Sequence, residues 1–550
     1  MLLQMSAIRG LDTLAEVQKQ MDFHLDALFA LRVRHNTLLL VTSRVPPEIL
    51  SAIFRLCIMT YQERRDQQVF PSSSPINPYE WITLTHVCHR WREVALGDPT
   101  LWTDVYCVSR ATLNLAIAFI GRSGPVPMHI EVTSSIKHQT TGAALLNGIW
   151  MALRDLSCVA SLSLQVTDQE LKELMDTTSS LAAPHLRFLE FKASPSDSHS
   201  GPVLSNLLAK LTAPVLSTLV IEFYPIYLAT GCFPTTLTSL ALVYKQLPRS
   251  PVLEIVNALS NLVMLQELSL IDVIAPQILL NPPVMPPVRT VITLPHLRTV
   301  EFTASPIASV YFLDHLDLPV DARIALTMQG PSSDDIVPLL LPPLFAKLTT
   351  KLDVSDPKQP IEFLRISYSE LTFRKRQPPG VPKSAPAPEF ILGLEDIQME
   401  FDDCAILTDV IARLPIADVS NLNMYFDIMA SEGPIRVLFQ KLGNVEQMAL
   451  DGYEGSITFD QVLYLLRCGL PKLRYLALES VDFQFDEDGD RPSDEDFIPA
   501  LCNEFTVRKK GIAAVKEINI SGCSSITQRD IELLKEAVDI VSWDGTGLMS

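Results

Sequence analysis

One phrase, L-x-x-L-x-L, recurs through most of the 550-residue sequence and restricts the folds open to it. Its apolar positions alternate with variable ones, as they do in a β-strand with one face in a core. The fourth positions of the early copies lie 30, 21, 28 and 32 residues apart, and two later ones lie 28 apart. Strands that recur at such intervals predict a stack of repeated units rather than one compact core. Each unit would contain one strand and a segment that leads back to the start of the next strand. The copies lie at 186–191, 216–221, 237–242, 265–270, 297–302, 445–450, 473–478 and 515–520.

The segments between the copies indicate which structure connects each strand to the next. Apolar residues at helical spacing predict return helices at 203–211, 252–262, 435–442 and 459–467. The predicted fold class is therefore α/β, with an irregular leucine-rich-repeat-like α/β solenoid over residues 105–545. An ordinary α/β domain with several strands stays open as an alternative.

Proline clusters interrupt these repeats. The segment 377–389 (QPPGVPKSAPAPE) cannot continue a ladder of strands, so it is predicted to be an exposed loop that divides the solenoid into two arcs. Weaker copies of the phrase at 361–366 and 419–424 are expected to keep the two arcs continuous.

Residues 1–44 form a predicted N-terminal helical segment. Six residues follow one another in steps of 3 or 4, which is the spacing of a coiled-coil seam: Leu11, Leu14, Gln18, Met21, Leu25 and Leu28. The seam lasts under three heptads, which is shorter than a coiled coil usually needs. The spacing therefore favours a helix packed on its own domain, and a seam between two copies stays open.

Residues 45–102 carry a denser pattern that begins with a helix start. Pro46 and Pro47 fix the backbone near helical angles and suit a first turn, and Glu48 adds a negative charge at the helix N-terminus. Apolar residues then predict a single stripe formed by Ile49, Leu50, Ile53 and Phe54.

A second predicted helix follows in the same region. Val87, Trp91, Val94 and Ala95 recur at helical spacing, and Gly-Asp-Pro at 97–99 ends the run. Three of the five tryptophans, at positions 81, 91 and 102, lie within this stretch, so it has large apolar anchors for its size.

The pattern Pro46-Pro47-Glu48-x-Leu50-x-x-Ile53-Phe54, followed by Val87-Cys88-x-x-Trp91-x-x-Val94-Ala95 and Leu101-Trp102, resembles an F-box. It is especially similar to the F-box-like proteins of mushroom-forming fungi. The resemblance covers residues 45–104. In that family the helices bind the Skp adaptor, which links the F-box protein to a cullin in SCF-type ubiquitin ligases. The resemblance implies adaptor binding by Pro46, Pro47, Glu48, Leu50, Ile53, Phe54, Val87, Cys88, Trp91, Val94 and Ala95.

A smaller resemblance lies near the end of the chain. Ser-Gly-Cys at 521–523 follows the last strand phrase, and 527–538 predicts a helix with Thr527 as N-cap and Asp530 at the third helical position. This arrangement is similar to the cysteine-containing leucine-rich repeats of F-box proteins, and implies a last repeat or a cap.

Composition and charge narrow the classes of function. The chain has 44 basic and 63 acidic residues and a net charge of −19, which argues against nucleic-acid binding. No apolar run is long enough to span a membrane, and the first residues lack the pattern of a secretory signal. The nine cysteines are scattered without any C-x-x-C, which indicates free thiols and a cytoplasmic or nuclear location.

The sequence offers little catalytic or metal-binding chemistry, and no cofactor is expected. No nucleotide, nucleophile or zinc-protease motif is present. His86, Cys88 and His89 could suggest a metal site, but on a helix Cys88 points away from the two histidines. The F-box resemblance implies a buried or partner-facing Cys88 instead. The run 484–495 (QFDEDGDRPSDE) mimics a calcium loop without a carboxylate at its first position, so a solvated acidic loop is favoured.

The function predicted from these patterns is that of a non-enzymatic substrate receptor. The F-box would bind the adaptor and the solenoid would bind an unknown protein target for ubiquitin transfer by other subunits. A repeat scaffold without a ligase role is the main alternative, and an enzyme of unrecognised family is a second. Arg187, Arg298 and Arg474 occupy the same place in their phrases, and would favour a phosphorylated target if they lined the binding face, although a solvated edge is the commoner outcome.

Overall fold

The computed structural model describes residues 14–39, 45–66, 77–107, 110–133, 156–178, 181–193, 201–224, 226–244, 249–275, 290–319, 321–329, 360–366, 370–376, 389–393, 416–425, 432–452, 459–467, 469–481, 483, 497–511 and 514–546. The chain divides into two compact units. Unit 1 comprises residues 1–188 and 211–213, and unit 2 comprises residues 189–210 and 214–550.

Unit 1 begins with helices and continues into a short parallel sheet. Its helices are α1 (Leu14–Leu39), α2 (Pro47–Asp66), α3 (His89–Gly97), α4 (Arg110–Ser123) and α5 (Asp168–Thr177), with 3-10 turns at Glu80–His86, Pro99–Trp102 and Leu156–Cys158. Its strands are β1 (Asp104–Cys107), β2 (Met128–Thr133) and β3 (Val159–Val166). β2 pairs in parallel with both β1 and β3. The α2 and α3 helices confirm the two helices predicted for residues 45–102.

Unit 2 alternates strands with helices. Its helices are α6 (Gly201–Lys210), α7 (Val252–Leu259), α8 (Pro306–Asp314), α9 (Glu432–Lys441), α10 (Phe459–Arg467), α11 (Phe497–Gly511) and α12 (Gln528–Ala537). Its strands are β4 (Phe188–Ala193), β5 (Thr218–Glu222), β6 (Ser239–Val243), β7 (Glu267–Ile271), β8 (Ile292–Thr293), β9 (Thr299–Ala304), β10 (Leu316–Asp317), β11 (Arg323–Met328), β12 (Ile361–Ile366), β13 (Glu370–Lys375), β14 (Glu389–Gly393), β15 (Asn421–Tyr425), β16 (Gln447–Asp451), β17 (Tyr475–Glu479), β18 (Glu517–Ser521) and β19 (Ile540–Trp543).

The repeated phrase sets the register of the parallel strands. Leu219 of β5 pairs with Leu240 of β6, which pairs with Leu268 of β7. In the second half of unit 2, Met448 of β16 pairs with Leu476 of β17, which in turn pairs with Ile518 of β18. All six residues are the fourth positions of their phrases and are buried, at 1% exposure or less for each side chain. The α/β fold class with a leucine-rich-repeat-like series of parallel strands is therefore confirmed.

A reversed segment interrupts the parallel series. β13 runs antiparallel to both β12 and β14, while β14 pairs in parallel with β11 and β12 pairs in parallel with β15. Only residues 367–369 separate β12 from β13, and three residues are too few for the crossover that a parallel pair requires. The weak copies at 361–366 and 419–424 lie in the neighbouring strands β12 and β15. Of the predicted loop at 377–389, only Glu389 lies within the described residues, and it begins β14.

The final repeat contains the predicted capping box. The Thr527 hydroxyl accepts a hydrogen bond from the Asp530 amide, and the Asp530 carboxylate accepts one from the Thr527 amide at 2.8 Å. Cys523 is 1% exposed, and burial raises the pKa of its thiol to about 11. At neutral pH this thiol is protonated and serves as an apolar core group.

Candidate functional site

The helix α2 starts where the two prolines predict. The Pro46 carbonyl accepts hydrogen bonds from the Ile49 and Leu50 amides at 3.1 Å each, which closes the first turn. Pro47 occupies the first helical position, where an amide hydrogen would have no partner in the helix. The Arg90 guanidinium of α3 donates to the Val45 carbonyl at 2.5 Å and so ties the start of α2 to α3.

The apolar residues of α2 form two stripes rather than the single predicted one. Leu50, Phe54 and Ile58 face inward and are 1%, 0% and 8% exposed. On the other side lie Ile49, Ile53, Leu56 and Met59, which are 42–63% exposed and which we call the outer stripe. The sequence spacing merges the two because Ile49–Leu50 and Ile53–Phe54 are adjacent pairs, whereas successive residues of a helix point about 100° apart.

Aromatic side chains form the core beneath the inner stripe. The Phe54 ring lies 5.3 Å from the Trp91 ring, which joins α2 to α3. The Trp102 ring lies 5.1 Å from Trp81 and 4.8 Å from Phe119, and its indole N–H donates to the Ala95 carbonyl at 2.7 Å. Trp102 therefore contacts the 3-10 turn that contains Trp81, the helix α4 that contains Phe119, and a carbonyl near the end of α3. These contacts hold the three elements together.

Asp98 connects α2 to the turn after α3. Its carboxylate accepts hydrogen bonds from the Ser51 hydroxyl, from the Arg55 guanidinium at 3.0 Å, and from the Thr100 amide at 3.0 Å and hydroxyl at 2.6 Å. Burial alone would raise the pKa of Asp98, but the hydrogen bonds from Ser51, Thr100 and Arg55 lower it from 3.8 to about 2.

Replacing Asp98 by asparagine should destabilise unit 1 in a pH-dependent way. Because the pKa of Asp98 is lower in the folded chain, its contribution is fully present above the unfolded pKa of about 3.9 and is lost as the pH falls toward about 2. We expect the free energy of unfolding to drop by on the order of 2 kcal/mol at pH 6. Urea titrations of wild type and Asp98→Asn, followed by tryptophan emission, should show this difference shrinking toward pH 2.5. A difference that stays constant over that range would contradict the assignment.

The predicted adaptor-binding residues divide into three groups by exposure. Pro46, Pro47, Glu48, Ile53 and Val87 are exposed, whereas Cys88, Trp91 and Val94 are half-buried. Leu50, Phe54 and Ala95 are buried in the core of the chain itself, at 1% exposure or less.

Sequence reasoning missed part of the exposed apolar surface. Leu56 and Met59 of the outer stripe are 63% and 53% exposed, and Leu96 of α3 is 46% exposed. The spacing Ile49, Ile53, Leu56 at i, i+4 and i+7 was the available signal, because it defines a helix face separate from that of Leu50 and Phe54.

The described residues provide little for catalysis or metal binding. They contain no group of three or more histidine, cysteine or acidic side chains placed to hold a metal ion. The His89 Nδ1 atom instead lies 3.3 Å from a carboxylate oxygen of Glu93. The calcium-like run at 484–495 lies outside the described residues. Among the described helices, none combines the length and apolarity needed to cross a membrane.

Comparison with known proteins identifies the region around α2 and α3. The family model described as F-box-like matches residues 42–108, which include the whole predicted segment 45–104. The chain therefore carries an F-box-like region. No curated protein matches the chain. Among solved structures, the leucine-rich repeat-containing protein LegL7 from Legionella pneumophila is 15% identical, with 64% of this chain and 91% of that chain covered and a TM-score of 0.29. That likeness is too distant to add to what the strand register shows.

Proposed function

We propose that this protein is the substrate receptor of an SCF-type ubiquitin ligase, of the F-box-like kind found in mushroom-forming fungi. Residues 45–104 would bind the Skp adaptor and, through it, a cullin, and the leucine-rich-repeat-like region would bind the protein target. In this role the chain carries out no chemistry, and it acts in a reducing compartment, cytoplasmic or nuclear. The observation that carries the proposal is the outer stripe of α2, an exposed apolar helix face within the F-box-like region.

The proposed contact centres on the outer stripe and the adjacent exposed residues. Interface cores are built from apolar side chains that become desolvated on binding, and Ile49, Ile53 and Leu56 are available for this without any rearrangement. Val87, which is 59% exposed just before α3, is a further candidate. Leu50 and Phe54 act indirectly, because they fix the angle at which α2 presents the stripe. Loss of adaptor binding on truncating those two residues would report damage to the fold.

Two paired lysine substitutions test the contact. Ile53→Lys with Leu56→Lys places two charges on the outer stripe and is expected to abolish co-elution with a fungal Skp adaptor on a sizing column, because burying unpaired charges in an interface is strongly unfavourable. The matched control is Val263→Lys with Met264→Lys, two residues of unit 2 that are 51% and 46% exposed. Undiminished adaptor binding by the folded Ile53/Leu56 variant would contradict the assignment.

Adding a cullin to the same experiment separates the ligase role from the scaffold alternative. Co-elution of this chain, the adaptor and the cullin as one species supports a substrate receptor. Co-elution with the adaptor alone, under conditions where the adaptor joins another F-box protein to the cullin, supports a repeat scaffold that holds an adaptor without serving a ligase.

In the described strands of unit 2, the basic side chains considered below do not favour arginine-based recognition of a phosphorylated target. Arg298 and Arg474 are exposed but each lies just before its strand. The Arg187 side chain is likewise exposed and precedes β4. On the strands themselves, Lys192 contacts Glu190 at 2.9 Å, and Arg323 and Arg374 both contact Glu389, at 3.1 and 3.0 Å. A phosphate group would have to compete with these carboxylates.

A further inference from the structure

The helix α1 exposes an unusual amount of apolar surface. It has 26 residues, and so is about 39 Å long. All its described side chains, at positions 14–35, are exposed except that of Val33, which is intermediate. Leu14, Leu25 and Leu31 are 86%, 58% and 65% exposed. The packing of α1 on its own domain that the sequence favours is therefore not found among the described residues.

The exposed apolar residues of α1 other than Phe23 gather on one side of the helix. Each lies three or four residues from another member of the group, which consists of Leu14, Val17, Met21, Leu25, Leu28, Phe29 and Leu31. At the edge of this seam the Phe29 ring lies 5.5 Å from His89 of α3. A helix without a packed apolar face is marginal in water, so α1 requires a partner for its seam.

We propose that the partner is a second copy of this chain, with the two α1 helices paired antiparallel. The seven seam residues expose on the order of 700 Å², which approaches the roughly 800 Å² per partner that stable protein interfaces bury. The same area exceeds the few hundred square ångströms of contiguous apolar surface common on monomers. The spacing in threes and fours is that of a self-complementary coiled-coil seam. The proposal is independent of the adaptor contact.

The charges of α1 determine the orientation of the pair. The first half of the helix carries Glu16, Asp22 and Asp26 against one lysine, and the second half carries Arg32 and Arg34. In a parallel pair, the two acidic halves would lie side by side, and so would the two basic halves. Arg32, which continues the seam four residues after Leu28, would then lie opposite Arg32 of the other copy. An antiparallel pair with Leu25 opposite Leu28 of the other copy instead places Arg32 opposite Met21, one residue from Asp22, and this proximity of opposite charges is favourable.

The mass of the full-length chain in solution tests the pairing. Light scattering on a sizing column at tens of micromolar should give twice the 61.1 kDa of one chain. Leu25→Lys with Leu28→Lys should give the single mass, with the dissociation constant raised at least a hundredfold. The matched control is Phe23→Lys, because Phe23 is 66% exposed on the opposite side of the helix and its substitution should leave the dimer intact. A monomeric wild type, as expected if another part of the same chain covers α1, would overturn the proposal, as would a dimeric Leu25/Leu28 variant.

A charge exchange tests the orientation separately. Asp22→Arg and Arg32→Asp should each weaken the dimer about tenfold, because each brings like charges close together across an antiparallel pair. The double variant Asp22→Arg with Arg32→Asp restores opposite charges and should return the dissociation constant to that of wild type. A double variant that dimerises no better than Arg32→Asp alone would overturn the antiparallel arrangement.

Discussion

Replacing Trp102 by alanine is expected to unfold the F-box-like region under conditions in which the wild type remains folded. The side chain is 1% exposed and contacts Trp81 and Phe119 through its ring. The Arg122 guanidinium also lies over the ring, 4.4 Å from its centroid. Truncation would leave a large cavity and an unpaired Ala95 carbonyl, which together cost about 3–5 kcal/mol. That is a large fraction of the stability of a typical domain.

Tryptophan emission is a suitable readout because three of the chain's five tryptophans lie in this region. Urea titration of Trp102→Ala should show the transition of the F-box-like region shifted far below that of wild type. Trp102→Phe keeps an aromatic ring but removes the indole N–H, so a loss of only about 1–2 kcal/mol is expected. If the alanine and phenylalanine variants were equally stable, the cavity argument would fail.

The second large effect is expected in unit 2, at Arg508 of α11. This side chain is 1% exposed, and its guanidinium donates to the Leu466 carbonyl at 2.7 Å and the Leu470 carbonyl at 2.5 Å. It thereby donates to a carbonyl in the last turn of α10 and to one in the segment that follows the helix. Burial lowers the pKa of Arg508, with the nearby Glu504 carboxylate opposing this, and the group remains a cation at neutral pH.

Arg508→Met keeps much of the side-chain volume but removes both guanidinium hydrogen bonds, so the Leu470 carbonyl keeps only the Leu473 amide as a donor; the loss should cost about 2–5 kcal/mol. Hydrogen exchange of the full-length protein should show faster exchange in α10 and α11 than in wild type. Lys509→Met is the matched control, since Lys509 is the exposed neighbour and its loss should change little. Arg508→Lys should fall between the two, because one ammonium cannot reproduce the fork of the guanidinium. Equal protection in the Arg508→Met and Lys509→Met variants would show that the two hydrogen bonds are dispensable.

The sequence predicts the repeated elements well because their signal is local and periodic. The helix predicted at 459–467 matches α10 at both ends, and the capping box at Thr527 forms as its two side chains require. The pairing of the fourth positions follows from the alternation of apolar and variable residues, because only one register places the apolar side chains of every strand on the same face of the sheet.

The features that the sequence could not specify depend on tertiary contacts. Arg508 stands beside two lysines in a basic run, and nothing in that run distinguishes the buried cation from the exposed ones. The division of α2 into inner and outer stripes depends on where α3 packs, which fixes Phe54 as buried and leaves Ile53 42% exposed. The reversal of β13 depends on the three-residue connection after β12, which only the strand bounds of the structure reveal, and the repeated phrase elsewhere in the chain favours parallel pairing.

The reversed segment also makes the length of one connection, between β13 and β14, independent of the geometry of the repeats. Arg374 of β13 and Glu389 of β14 are direct neighbours in the antiparallel ladder, so the connection between them leaves and returns at nearly the same point. The parallel series continues on either side, through β11 with β14 and through β12 with β15. Residues can therefore be added or removed between β13 and β14 without altering the rise from one repeat to the next. For protein engineering, this makes the connection a natural insertion point for a guest domain with neighbouring termini.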